Sequence, residues 1–307
     1  MKTSVALTTY NGTAYIQDLL DSLRLQQLPP DEVVLVDDCS MDETFELVNR
    51  YIEEHQLKNW HAYRNEKNKG WRTNFREAFR KCTGDLIFPC DQDDIWRPYK
   101  IAEMKKVMEE NPNIELLVSN YAVLNVDREE KVKLRGLDRD DGSVEKWPFS
   151  VHALTDLRPG CTFCARKSLV EKLDESDIPD APHDDMLWSY AAVDDALYLL
   201  NRKAILYRRH SQSASTPGQS LCRSRRIEEI SFQLRIERFF LEICRKKNDA
   251  EKAELLDKQI RFLEKRIDFL RKKAPIRMLG FQLAHFHNYP TLRNMLSDEY
   301  VLLFKRD

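Results

Sequence analysis

The sequence predicts an α/β fold with a mainly parallel central sheet and a helical extension at its carboxyl end. Three observations predict it. Over the first 127 residues, short β-branched or apolar runs alternate with segments of helical period, as in consecutive βαβ units. Polar, turn-rich segments follow the carboxyl ends of the first, second and fourth runs, where open α/β sheets place their ligands. Beyond Ser220, two successive sets of apolar residues recur at helical spacing.

The elements follow in order. Ser4–Thr9, Glu32–Asp37, His61–Arg64, Asp85–Cys90 and Glu115–Val126 read as strands. Ile16, Leu19, Leu20 and Leu23 fall at i, i+3, i+4 and i+7, and Phe45, Val48 and Ile52 mark the next amphipathic helix. Asp42 stands at a helix N-cap, and Pro98 suits the first turn of the helix after Trp96. Residues 128–150 are charged and nearly patternless, which predicts a mobile connection; a second α+β stretch then runs to about Pro217. Ile227, Ile230, Leu234 and Leu241 mark one long helix. Leu256, Ile260, Leu263, Ile267 and Leu270 mark another, spaced as a seam for a partner helix, with Asn248-Asp249 as the turn of a hairpin. The predicted division is 1–219, in halves 1–127 and 128–219, followed by 220–307.

The chain has 307 residues, 42% of them hydrophobic, enough for one full core and a smaller appendage. With 33% charged residues, a mean hydropathy of -0.59 and no long apolar run, nothing in it reads as membrane-spanning. The amino terminus lacks the basic and apolar regions of a secretory signal, so the expected location is cytoplasmic. Seven scattered cysteines read as reduced thiols; the Cys161/Cys164 pair has no second ligand pair for zinc. Net charge is -2, but residues 220–307 carry 20 Lys+Arg against 13 Asp+Glu, leaving 29 against 38 for the rest. A basic tail raises nucleic-acid or anionic-surface binding, against the commoner reading of mixed-charge solvated helices.

The strongest chemical signal is Asp91-Gln92-Asp93-Asp94, directly after an apolar strand. Clustered carboxylates repel one another unless a hard cation is present, and Mg²⁺ or Mn²⁺ takes such oxygens while keeping positions for phosphate. An acidic turn capping the next helix fits the tetrapeptide equally well. The first strand ends in Thr8-Thr9-Tyr10-Asn11-Gly12, and the second in Val36-Asp37-Asp38-Cys39-Ser40. In this order, TTYNG, VDDCSMDET and TGDLIFPCDQDDIWRP resemble glycosyltransferase family 2, a large inverting group with the GT-A fold that includes bacterial polysaccharide-building enzymes. The resemblance covers residues 1 to about 215.

That resemblance implies a Rossmann-like nucleotide-diphospho-sugar transferase fold. Residues 1–127 would form its nucleotide-binding half and 128–219 its acceptor-binding half. Thr8 and Tyr10 would line the base pocket, Tyr10 offering a stacking face. Asp38 would accept from a pyrimidine ring N–H, with Asp37 holding the loop. Asp91 and Asp93 would chelate Mg²⁺ or Mn²⁺, Asp91 also contacting the donor ribose, with Asp94 as a third carboxylate. Lys69-Gly70 and Arg72–Asn74 match the donor-contact loop only loosely. Pro159-Gly160-Cys161-Thr162 resembles the strand flooring the donor sugar, and Tyr207–Ser211 an element near the diphosphate, where His210 would complete the metal site or contact phosphate.

Pro182–Trp188 resembles the segment bearing the catalytic base of inverting relatives, which falls on Asp184, with Asp185 as competitor and a plain helix cap as the bland alternative. The implied reaction moves a sugar from a UDP- or dTDP-sugar onto an acceptor hydroxyl with inversion. A saccharide or lipid-linked saccharide would be the acceptor, in cell-surface polysaccharide synthesis. For the basic hairpin, two partners stand open, an anionic membrane face or a second copy of the chain. Nucleotidyl transfer and dinucleotide-dependent oxidoreduction are disfavoured, because no glycine-rich phosphate loop follows the first strand. A sugar-nucleotide-binding protein without turnover is the non-enzymatic alternative; nucleic acid is not an expected partner.

Overall fold

A computed structural model describes residues 1–127, 137–150, 152, 154, 158–211 and 222–305. The chain divides into two compact units, Met1–Trp147 with Leu157–Thr216, and Pro148–Asp156 with Pro217–Asp307.

The first unit begins with βαβ repeats, β1 (Thr3–Thr9), α1 (Ile16–Arg24), β2 (Glu32–Asp37), α2 (Thr44–Glu54), β3 (Trp60–Arg64), α3 (Trp71–Lys81) and β4 (Leu86–Asp91). Then come β5 (Ile95–Trp96), α4 (Lys100–Glu110), β6 (Leu116–Asn125), β7 (Val144–Lys146), β8 (Phe163–Arg166), α5 (Lys167–Glu171), α6 (His183–Val193) and β9 (Leu197–Arg209). One sheet holds all nine strands in the order β3-β2-β1-β4-β8-β6-β9-β5, with β7 paired to β9. β1 to β4 run parallel, as do β6 and β9, while β8 is antiparallel to both its neighbours. Every residue of β1 and β2 is buried, as expected of strands covered on both faces. Ile16, Leu19, Leu20 and Leu23 of α1 pack into the core beneath them.

Register carries the ligand-facing ends of these strands to one level. Thr9 lies opposite Asp37 on one side of β1, and Thr8 opposite Asp91 on the other. Pro89 sits inside β4 beyond Ile87, where pairing with β8 ends, which suits a residue without an N–H.

Three details depart from the sequence pattern. α2 starts at Thr44, so Asp42 stands just ahead of the cap position, yet its Oδ1 still accepts the Thr44 N–H at 3.1 Å. Pro98 precedes α4 rather than entering its first turn. Val144–Lys146, expected in a mobile connection, is a strand because its backbone completes the edge along Leu200–Tyr198 of β9; residues 128–136 of that connection lie outside the described ones. All seven cysteines are free, five buried and two, Cys39 and Cys222, partly exposed.

Among its described residues the second unit holds four α-helices rather than a lone hairpin: α7 (Arg223–Lys246), α8 (Ala250–Arg271), α9 (Pro275–Ala284) and α10 (Leu292–Phe304). Asn248, at φ 58°, makes the predicted turn, and Asp249 caps α8 by accepting the Lys252 N–H at 3.1 Å. Asp298 of α10 is fully buried between Arg226 of α7 and Arg266 of α8, with N···O distances of 2.8 Å to each, and also accepts from the Tyr289 hydroxyl at 3.2 Å. Removing one partner of such a buried network strands the others' charge. Asp298→Ala is expected to cost about 3–5 kcal/mol, read as a lowered urea midpoint, with Asp298→Asn retaining part of the loss.

Candidate functional site

The site grows from the loops that the β1, β2 and β4 register brings level. Asp37 is wholly buried and serves the loop: it accepts from the Thr9 hydroxyl at 2.9 Å and from the Ser40 N–H at 2.8 Å. Asn11, in the left-handed region at φ 48°, donates its N–H to Ser40 and accepts the Met41 N–H at 2.8 Å. Asp42 takes the Thr13 hydroxyl at 3.0 Å, and the Thr44 hydroxyl takes the Gly12 N–H at 2.7 Å. The TTYNG and VDDCSMDET segments are thereby laced into one surface.

Asp38, also buried, accepts from the Lys69 N–H, the Gly70 N–H and the Asn65 amide, each at 2.8 Å. Three donors leave one lone pair of the carboxylate for a ligand. Gly70 turns into α3 at φ 81°, a backbone conformation that favours glycine. Thr8 lies in β1 against Asp91, and Tyr10 is 43% exposed with its ring available.

Gln92, the one uncharged member of the acidic tetrapeptide, clamps the main chain of Tyr10, accepting its N–H at 2.8 Å and donating to its carbonyl at 3.0 Å. That clamp joins the first-strand loop to the acidic turn. Asp91 and Asp94 lie with the Cys161 thiol, one ligand atom of each within 4.8 Å of the others. Asp94 is fully buried. Its Oδ1 accepts the Arg208 N–H at 3.0 Å, while its Oδ2 makes no hydrogen bond among the described residues. Burial and then the neighbouring Asp93 charge push Asp94 well above the ordinary carboxyl range. The same two causes, joined by the charge of Asp184, raise Asp91 to about 7.

A bare, buried carboxylate oxygen beside a second raised carboxyl suits a hard divalent cation, which would replace the missing donor and hold both groups ionised. Cys161 is no such ligand. Its sulfur is a soft ligand that a hard cation disfavours, and burial and then the charges of Asp94 and Asp91 push its thiol well above the usual range. Asp93, paired with Asp91 in the sequence pattern, turns instead to His210, its Oδ2 2.8 Å from Nε2. His210, directly after β9, also packs its ring at a tilt 4.7 Å from that of Tyr15, with its Nε2 already engaged. Arg208 and Arg209 are buried rather than solvated. Arg208 ties the end of β9 to the Asp93 carbonyl at 2.6 Å and to Asp18 at 2.8 Å.

Sequence reasoning did not single out Lys100. It is fully buried beneath the cluster, donating to the Cys161 carbonyl at 2.5 Å and lying 3.5 Å from the Trp96 ring centroid, with its pKa lowered to about 8 by burial. No local pattern marks it, since its hydrogen-bond acceptor, the Cys161 carbonyl, comes from 61 residues away.

The second acidic pair opens α6. Asp184 and Asp185 occupy its first turn, where free N–H groups and the helix dipole favour negative charge. His183 beside them packs 4.0 Å from Phe75 with neither ring nitrogen bonded among the described residues, and burial lowers it to about 4, so it is a neutral packing residue. Asp185 is pushed up by burial and by the charge of Asp184, with Arg72 opposing. Asp184 is partly exposed. Gly160 brings the two acidic sets together: a Cβ there would meet His183 Nε2 at 2.6 Å and Asp184 Cβ at 3.3 Å. The 3-10 turn Gly160–Thr162, expected as plain strand, therefore touches α6 through Gly160 and the acidic cluster through Cys161.

Residues 4–170 match the model of glycosyl transferase family 2. The poly(ribitol-phosphate) beta-N-acetylglucosaminyltransferase TarS of Staphylococcus aureus is 33% identical over 125 residues, 40% of this chain and 22% of that protein. The putative teichuronic acid biosynthesis glycosyltransferase TuaG of Bacillus subtilis is 31% identical over 107 residues, 35% of this chain and 42% of its own. The aligned segments thus span well under half of these relatives. In fold, the crystal structure of TarS 1-349 in complex with UDP-GlcNAc matches 99% of this chain and 80% of its own at a TM-score of 0.64 and 21% identity.

Two outcomes follow from the geometry. Folded Asp91 holds its proton more tightly than an ordinary carboxyl at 3.8, so its stabilising contribution is full below that value and is lost as pH rises to about 7. With chelator present, the melting temperature is expected to fall between pH 5 and 8; Mn²⁺ should restore it at pH 8, and Asp91→Asn should flatten both responses. Gly160→Ala is expected to cost about 1–3 kcal/mol by overpacking and to displace the start of α6, seen as a chemical-shift change at Asp184.

Proposed function

This chain belongs to glycosyl transferase family 2, and we propose on that premise that it transfers a sugar from a UDP- or dTDP-sugar to an acceptor hydroxyl with inversion. The observation that carries the proposal is the Gly160–Cys161 turn, which lies against Asp184 through Gly160 and with Asp91 and Asp94 through Cys161. Two carboxylate sets separated by the width of a small turn can serve opposite sides of one bound sugar. An inverting displacement requires that division, with a base behind the incoming hydroxyl and positive charge at the departing diphosphate.

In this reading Asp184 accepts the acceptor proton. Asp185, raised by burial and then by its neighbour's charge, stays protonated to higher pH and is less available to accept a proton. Asp91 would hold Mg²⁺ or Mn²⁺, with Asp94 supplying the second oxygen donor and Asp93, oriented by His210, facing the same ligand. The cation, when bound, neutralises charge on the leaving diphosphate. Tyr10 stacks on the base, Thr8 lines its pocket, and Asp38 offers its remaining lone pair to a pyrimidine N–H. Of the relatives named above, one is a poly(ribitol-phosphate) beta-N-acetylglucosaminyltransferase and one a putative teichuronic acid biosynthesis glycosyltransferase, which supports a saccharide or lipid-linked saccharide acceptor at the cytoplasmic membrane face.

Donor hydrolysis across a panel of nucleotide sugars with Mn²⁺ tests the reading. Asp184→Asn is expected to lower kcat by about 10²–10⁴-fold while leaving donor Kd within about threefold. Asp91→Asn should weaken donor binding in the presence of metal. Tight donor binding with no turnover in the unaltered chain, whatever the acceptor, would identify a sugar-nucleotide-binding protein instead.

A further inference from the structure

Nine of the eighteen large apolar side chains exposed among the described residues fall between Ile276 and Phe304. They are not scattered. In α9, Ile276, Leu279 and Leu283 follow one another at i, i+3 and i+7, with Ile276 87% and Leu283 72% exposed. In α10, Leu292, Leu296 and Leu303 fall within about 40° of arc at roughly 100° per residue, with Leu292 67% exposed.

Each helix turns one apolar and one polar residue inward, Met278 with Gln282 in α9 and Val301 with Asp298 in α10. Asp298 is gripped by Arg226 and Arg266, and the Gln282 amide donates to the Met295 carbonyl at 3.0 Å. These anchors fix which face of each helix looks outward. An isolated exposed leucine needs no explanation, but two adjoining helices with leucine stripes held outward by buried polar contacts do.

Charge identifies the occupant. Lys273, Arg277, Arg293 and Lys305 are exposed in or beside these helices. Of the acids described between 271 and 305, Asp298 is buried against two arginines and Glu299 is partly buried. An apolar stripe bordered by cations fits the headgroup and acyl boundary of an anionic bilayer. A second copy would bring the same cations to the same contact, since a two-fold interface presents one patch to itself. No helix among the described residues is long and apolar enough to cross a membrane, so the fit is with a helix pair lying in the interface.

We propose that α9 and α10 form a docking surface for an anionic phospholipid bilayer, with Ile276, Leu283, Leu292 and Leu296 entering the acyl boundary and Arg277 and Arg293 meeting lipid phosphates. This moves the lipid-binding role from the α7–α8 hairpin, where the sequence placed it, to helices the sequence did not mark. It stands independently of the transferase reading.

The test is sedimentation of the full chain with phosphatidylcholine vesicles, with and without phosphatidylglycerol, in the absence of substrate. Binding is expected with phosphatidylglycerol and at least about tenfold weaker without it, declining as salt rises. Leu283→Glu with Leu296→Glu, and separately Arg277→Glu with Arg293→Glu, should each lower partition about tenfold or more. Because these side chains are exposed, melting temperature and donor hydrolysis should stay unchanged. Absence of binding to the anionic vesicles, or full binding by both double variants, would overturn the proposal. So would a dimer in light scattering that Leu283→Glu with Leu296→Glu converts to monomer, which would assign the face to a second copy. Vesicle binding retained by a chain without donor turnover would count against the transferase reading alone.

Discussion

Matched parallel pairing of β1 with β2 on one side and β4 on the other is the constraint from which the site follows. It sets Thr9 opposite Asp37 and Thr8 opposite Asp91, so loops that start at three strand ends begin at one height. A slip of one residue in β4 would turn Asp91 to the other face of the sheet and bury the wrong side chains. Fully buried strands resist such a slip strongly, because the apolar residues of both faces must find their covers again. The Gln92 clamp and the Asp37–Ser40 contacts then finish locally what the register begins.

The acidic cluster is costly by itself. Asp91 and Asp94 are withdrawn from water next to Asp93, and Lys100 supplies one buried positive charge beneath them. One ammonium cannot balance three ionised carboxyls, so the cluster retains protons or acquires positive charge from outside. An arrangement of this kind is poor for stability and well suited to holding a cation that must also face a phosphate. The surrounding fold supports the cost through contacts of ordinary type, including the Arg208 bonds to Asp93 and Asp18.

Much of the sheet was legible because period and composition are local properties: β1 to β4, β6, α1 and α2 were each visible as runs of the right spacing. The short strands β5 and β7 were not, since two or three residues carry no period and depend on β9 for their pairing. The same limit separates Asp93 from Asp94. Adjacent aspartates look equivalent in a sequence, and only the distant Arg208 and His210 decide that one turns to the histidine and the other to Cys161. Lys100 and Gln92 were passed over for a related reason, their side-chain hydrogen-bond partners being far along the chain. In α9 and α10 the difficulty was mixed polarity, because leucines face outward while Gln282 and Asp298 are buried beside Met278 and Val301, which blurs the rule by which core faces are read.

Thiol chemistry is sharply divided along this chain. Cys82, Cys90, Cys161 and Cys164 are buried and held in the unreactive form, and Cys244 is buried as well. Cys39 remains partly open in the loop after β2 of the first unit. Cys222, whose pKa is lowered by the Ser224 hydroxyl, is partly open at the start of α7 in the second. Maleimide dyes would therefore label one position on each unit without removal of any native cysteine, and energy transfer between them would measure the spacing of the units in solution.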